Sequence, residues 1–106
     1  MQDQSPAQVV TLGPVLDVRA ATPLHRELSD LRGQPIVVNA QGVERIGGQC
    51  AAVLLSAARS WRGDGQDFEL TEASEGFEEG WQLLGLDMAE LRKDEPAFAF
   101  DFAASE

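Results

Sequence analysis

The sequence predicts an α/β domain: a mixed, mostly parallel sheet of about four strands with three to four helices packed against it. Three observations point there. Short β-branched or apolar runs near residues 10, 37 and 69 are each followed by a segment of helical periodicity. Strands alternating with helices of about 10–15 residues are the pattern of parallel strands joined by right-handed crossovers. The length of 106 residues suits one domain that buries its own core without disulfides or metals.

The elements follow in chain order. Residues 1–7 are polar, contain Pro6, and are expected to be a flexible N-terminus. Val9, Val10, Thr11 and Leu12 read as a strand, and Val15, Leu16 and Val18 as a second apolar run beyond Gly13-Pro14. Two such runs separated by Gly-Pro fit a hairpin or a bent edge. Thr22 then reads as an N-cap with Pro23 at the first helical position. Leu24, Leu28 and Leu31 form one stripe, Gly33 suits the helix end, and Pro35 blocks continuation. Residues 35–40 (PIVVNA) are β-branched and read as a buried central strand. Residues 41–48 read as a loop pinned inward by Val43 and Ile46.

The segment 49–61, QCAAVLLSAARSW, is the strongest helix and is apolar almost all round, so it is expected to be buried on more than one side. Arg59 and Arg62 suit its C-terminal end, and Gly63-Asp64-Gly65 is a turn. Residues 66–71 alternate Phe68 and Leu70 with Asp67 and Glu69, the pattern of a half-exposed strand. Ser74 caps the next helix, whose stripe is Phe77, Trp81 and Leu84, and Gly85 closes it. Asp87 with Glu90 makes a capping box for a short last helix carrying Met88 and Leu91. The folded domain is thus expected over residues 8–95. A tail over 96–106 places Phe98, Phe100 and Phe102 on one side of an extended chain.

Charge is divided unevenly. Residues 1–62 hold six basic and five acidic side chains, whereas residues 63–106 hold two basic and thirteen acidic ones. That −11 half excludes binding to a nucleic-acid backbone or an anionic membrane surface, both of which need cations. It is expected to be a solubilising side that lies away from the main docking surface.

Catalytic and metal chemistry find no support. Single copies of cysteine (Cys50) and histidine (His25) rule out a disulfide framework and a multi-histidine or cysteine zinc site, so no metal and no cofactor is expected. His25 falls on a polar helix face. The loop from Gly42 to Gly48 has three glycines but no following lysine, so it is not a P-loop. Cys50 at a helix start would be a nucleophile only if its thiol were acidified, and in an Ala-Val-Leu helix it reads as a small core residue. Trp61 and Trp81 read as covers for core edges. MQDQSPAQ lacks the basic and apolar regions of a signal peptide, and no run is long enough to span a membrane. A non-enzymatic, cytoplasmic protein is the expectation.

Taken in order, the strand PIVVNA, the loop GVERIGG, the helix QCAAVLLSAARSW, the strand QDFEL and the helix SEGFEEGWQLLGL resemble a STAS domain over roughly residues 8–92. That family includes anti-sigma factor antagonists, cytoplasmic tails of sulfate transporters and a small subunit of a lipid-transport ABC system. The resemblance implies a bacterial protein–protein interaction module, docking through the loop before the second helix and that helix's first half. On this chain those positions are Arg45, Gly47, Gly48, Gln49, Cys50, Ala51 and Ala52. In the antagonists the loop reads Asp-Ser-Ser/Thr-Gly, and its second hydroxyl is phosphorylated. Here Gly47, Gly48, Gln49 and Cys50 occupy those places, and no Ser or Thr stands between Ala40 and Leu55, so no serine phospho-switch is expected. The implied partners are a chemotaxis or two-component histidine kinase first, then a transporter ATPase or an anti-sigma-type kinase. A homodimer is compatible with the pattern. The alanines 51, 52 and 58 would let a partner approach the helix closely. The three-Phe tail is a second candidate surface.

Overall fold

Ile36, Val37 and Val38 favour an extended backbone because their branched side chains pack well on a pleated surface, and they build the centre of the sheet. In the computed structural model, which describes residues 7–91, strand β3 (Ile36–Asn39) lies between β1 (Gln8–Thr11) and β5 (Phe68–Thr71), parallel to both. A second, two-stranded parallel sheet joins β2 (Val15–Leu16) to β4 (Arg45–Ile46). The helices are α1 (Val18–Asp30), α2 (Gly48–Gly63) and α3 (Glu75–Leu83), followed by a 3₁₀ turn at Met88–Leu91. The predicted α/β class, with helices against a mostly parallel sheet, is the observed one.

Of the hairpin and the bent edge that Gly13-Pro14 allows, the hairpin is not formed and the chain bends along an edge. β1 and β2 each pair with a distant strand, so residues 8–16 run as one ribbon alongside 36–46. Partners are 28 apart in the first pairing (Gln8 with Ile36) and 30 apart in the second (Val15 with Arg45). The second chain therefore carries two extra residues through the bend, where Asn39 accepts a hydrogen bond from the Gln41 backbone on its own side chain. Gly13-Pro14 passes the chain between sheets instead of reversing it, and the Pro14 carbonyl accepts from the backbone N–H of Glu44 and of Arg45. Part of the predicted loop 41–48 is consequently strand.

Helix α1 begins a turn earlier than Thr22-Pro23 suggests. Asp17 is its N-cap and accepts from the Arg19 N–H at 3.0 Å. This start brings Ala21 onto the buried stripe with Leu24 and Leu28. Pro23 is left inside the helix, where it lacks a donor. Burial along β3 alternates: Ile36 and Val38 are buried, while Val37 and Asn39 are half-buried. The strand is central, yet only one face of it is fully covered.

The core is continuous and wholly apolar among the described residues. Trp61 closes one end: its indole N–H donates to the Gln34 carbonyl at 2.8 Å, its ring meets Phe68 edge-on, and Arg32 lies over it while pairing with Asp64. Phe77 and Trp81 stack at the other end with ring centroids 5.6 Å apart. Both tryptophans are fully buried. Asp87 caps the final turn through the Ala89 N–H, but the Glu90 carboxylate faces Arg59 at 3.3 Å in place of closing the expected box. Phe98, Phe100 and Phe102 lie outside the described residues.

Candidate functional site

Gly47 ends β4 and caps α2 with an extended backbone (φ −101°, ψ 174°), so the chain turns from strand into helix without a side-chain cap. Its N–H donates to the Leu16 carbonyl at 2.9 Å, and its carbonyl accepts from the Ala51 N–H at 3.0 Å. The turn is thus fixed at both ends by backbone bonds. Helix α3 clamps it from the side. Ser74 caps α3 by accepting from the Phe77 N–H, and its hydroxyl donates to the Val43 carbonyl. One turn apart, Gly76 and Gly80 lie directly against the segment: a Cβ at Gly76 would overlap the Glu44 carbonyl, and one at Gly80 would come within 2.7 Å of the Ile46 side chain.

The first turns of α2 divide the predicted contact residues. Gly48, Gln49 and Ala52 are exposed, as is Arg45 on β4, and Gly47 is half-buried. Cys50 and Ala51 are buried in the core, and so is Ala58. Side chains at 50 and 51 therefore cannot meet a partner, because the helical period that turns 48, 49 and 52 outward turns 50 and 51 inward. Of the three alanines expected to admit a partner, only Ala52 is open to one.

The Cys50 thiol donates to the Asp17 carbonyl at 3.3 Å. Burial pushes its pKa up from the ordinary value of 9.0, and the nearby Asp17 carboxylate adds to the rise. A helix N-terminus would have acidified it, and here burial wins. The native thiol should therefore react far more slowly with an alkylating reagent than the denatured one. The pH dependence follows by linkage. The folded state holds the thiol proton to higher pH than the unfolded state does. Its contribution is complete below the unfolded pKa and is lost as pH rises above it. Urea midpoints should drop between pH 8 and about 10 in the wild type, and Cys50→Ala should remove that part of the drop.

Two features escaped the sequence reading. Leu84, expected on the buried stripe of α3, is 42% exposed, and Leu83 is 83% exposed. The helix ends there: Gly85 takes a positive φ of 79°, and the Leu86 N–H turns back to the Trp81 carbonyl, so the period breaks before Leu84 can face inward. Second, a Cβ on Gly48 would lie 3.9 Å from Leu84 Cδ2, which sets the end of α3 beside the first turn of α2. The acidic half was expected to lie away from the predicted contact residues; through Leu84 at the end of α3 it borders Gly48, one of them. The Gly76–Gly80 spacing was legible as a pair of glycines one turn apart, but what they approach was not.

Among the described residues no three His, Cys, Asp or Glu side chains are grouped to hold a metal, and no helix is long and apolar enough to cross a membrane. His25 is exposed and helps line a cavity of about 60 Å³ between α1 and α2.

A family model described as "Mlab, STAS domain" matches residues 1–93. No curated protein and no solved structure matches the chain.

Proposed function

This chain belongs to the STAS domain family, and on that premise we propose that it is a non-enzymatic docking subunit whose partner is the ATPase of an ABC-type lipid transporter. The matching family model is described as "Mlab, STAS domain", and the STAS family includes a small subunit of a lipid-transport ABC system, which favours this partner. The observation that carries the reading is the exposed turn Gly48-Gln49 with Ala52. It is held rigidly by β4 and by the glycine face of α3, and it offers backbone and small side chains but no hydroxyl at the phosphoacceptor position. A surface fixed before binding loses little entropy on binding. A chemotaxis or two-component kinase docked without phosphoryl transfer is the second reading, favoured by the glutamine at that same position. Both readings place the protein in the bacterial cytoplasm.

The test is titration of the purified ATPase, and of the kinase, with the full chain. Gln49→Arg should abolish binding to the ATPase while leaving the melting temperature unchanged. Binding to the kinase alone would replace the first reading by the second, and retention of binding by Gln49→Arg would remove the α2 turn from the interface.

A further inference from the structure

We infer that the docking face continues from α2 onto the C-terminal end of α3, and that the partner meets it with apolar side chains rimmed by lysine or arginine. The inference rests on the docking reading above and adds the chemistry of the partner.

Leu83 and Leu84 carry it. The inward side of α3 is already filled by Phe77 and Trp81, both fully buried, so the two leucines are surplus to the core. One exposed leucine is ordinary on a protein surface. Two in succession, beside an exposed turn of glycine, glutamine and alanine, form a patch with a neighbour. The 3.9 Å approach between a Cβ at Gly48 and Leu84 Cδ2 makes the two surfaces continuous.

The rim decides what can cover the patch. From residue 63 to residue 91 the chain has nine acidic side chains and no basic one. Glu79 lies one turn before Leu83, Asp87 three residues beyond Leu84, and both are exposed. Of the α2 cations, Arg59 is paired with the Glu90 carboxylate and Arg62 donates to the Glu90 carbonyl. Arg45, on β4, is the only cation in the predicted contact set. The leucines thus sit in a negative field. A partner with lysine or arginine around an apolar centre gains from burial and is steered on approach. A second copy of this face would bring Glu79 and Asp87 against their own kind, so the self-complementary occupant is disfavoured.

The experiment titrates the full chain into the purified transporter ATPase at low and high salt. Leu83→Ser should raise Kd about tenfold or more at an unchanged melting temperature, as an anchor at an interface centre does. Glu79→Gln should slow association several-fold in dilute salt, and the difference should vanish near 0.5 M salt, where exposed charges are screened. If both variants stay within twofold of the wild type while Gln49→Arg abolishes binding, docking is confined to α2; the inference is then wrong and the functional reading stands. Weakening by Leu83→Ser with no salt dependence overturns the basic rim. Sedimentation showing wild-type dimers that Leu83→Ser dissociates makes a second copy the occupant and overturns the partner named here. If the wild type does not bind the ATPase at all, the functional reading fails and this inference falls with it.

Discussion

Glutamate at position 51 should unfold the domain, and glutamate at position 52 should leave it folded but unable to dock. Ala51 is 1% exposed and Ala52 is on the open face of the same turn. At 51 the new carboxylate would enter a core that holds no buried charged side chain among the described residues, so no counter-charge there could pair with it. An uncompensated buried charge costs on the order of 3–5 kcal/mol, and overpacking about 1–3 kcal/mol more. Together these rival the roughly 5–15 kcal/mol by which a domain is stable. At 52 the side chain reaches water and costs a few tenths of a kcal/mol, about the ordinary range for surface changes. Circular dichroism and urea melts on the two variants, beside binding to the ATPase, read both halves of the contrast. A cooperative melt for Ala51→Glu near the wild-type midpoint would show that this side of α2 is not packed as described.

The second large effect is at Gly76, where alanine should destabilise the protein by about 2 kcal/mol and lower the melting temperature by on the order of 10 °C. Alanine is favoured over glycine in a helix by up to about 1 kcal/mol, so propensity alone predicts the opposite sign. The clash decides it. The added methyl would overlap the Glu44 carbonyl and lie 3.0 Å from the Val43 carbonyl, both backbone atoms of the segment feeding β4. Backbone cannot swing aside as a side chain can. Gly80→Ala is the internal comparison, since its methyl meets first the Ile46 side chain, which can adjust by rotation or a small shift. Its cost should be smaller. Gly76→Ala should also weaken docking, because the displaced segment leads into the exposed turn. Equal or reversed stabilities of the two variants, measured by urea denaturation, would mean that α3 does not lie on the loop through its glycines.

Much of the fold was legible because it is written locally. Ser74 and Gly85 mark the ends of α3 by cap chemistry, Phe77 and Trp81 its buried face by spacing, and the β-branched run 36–38 the central strand. Where two local signals competed, the sequence did not choose between them. The Thr22-Pro23 pair points to one helix start, Asp17 is as good a cap by residue type, and the burial of Ala21, a tertiary fact, goes with the earlier start. The pairing of β1 with β3 was invisible for a similar reason: Gly13-Pro14 permits a reversal, but only the distant strands fix where each run goes. The glycine-marked turn from loop into helix was legible in the chain, yet the division of 48, 49 and 52 from 50 and 51 needed the helix start to the residue. Leu84 misled because an i, i+7 match means little once a glycine has ended the helix.

The ribbon of parallel strands bears on how the chain folds. No strand pairing among the described residues is local: partners are separated by 28 residues for β1 with β3, 30 for β2 with β4, and 32 for β3 with β5. Closing a loop of such a length costs about 3 kcal/mol in chain entropy beyond a constant, and the dependence on length is logarithmic, so the three closures differ by only about 0.1 kcal/mol. None has a head start from proximity. The difference lies in the helix each loop contains. The α2 crossover is rich in alanine and leucine, whereas the α1 crossover carries Pro23 in mid-helix. A crossover that is already partly helical is shorter and stiffer when its strands meet, so β3 with β5 is the pairing positioned to form first and to serve as the edge on which β1 later assembles.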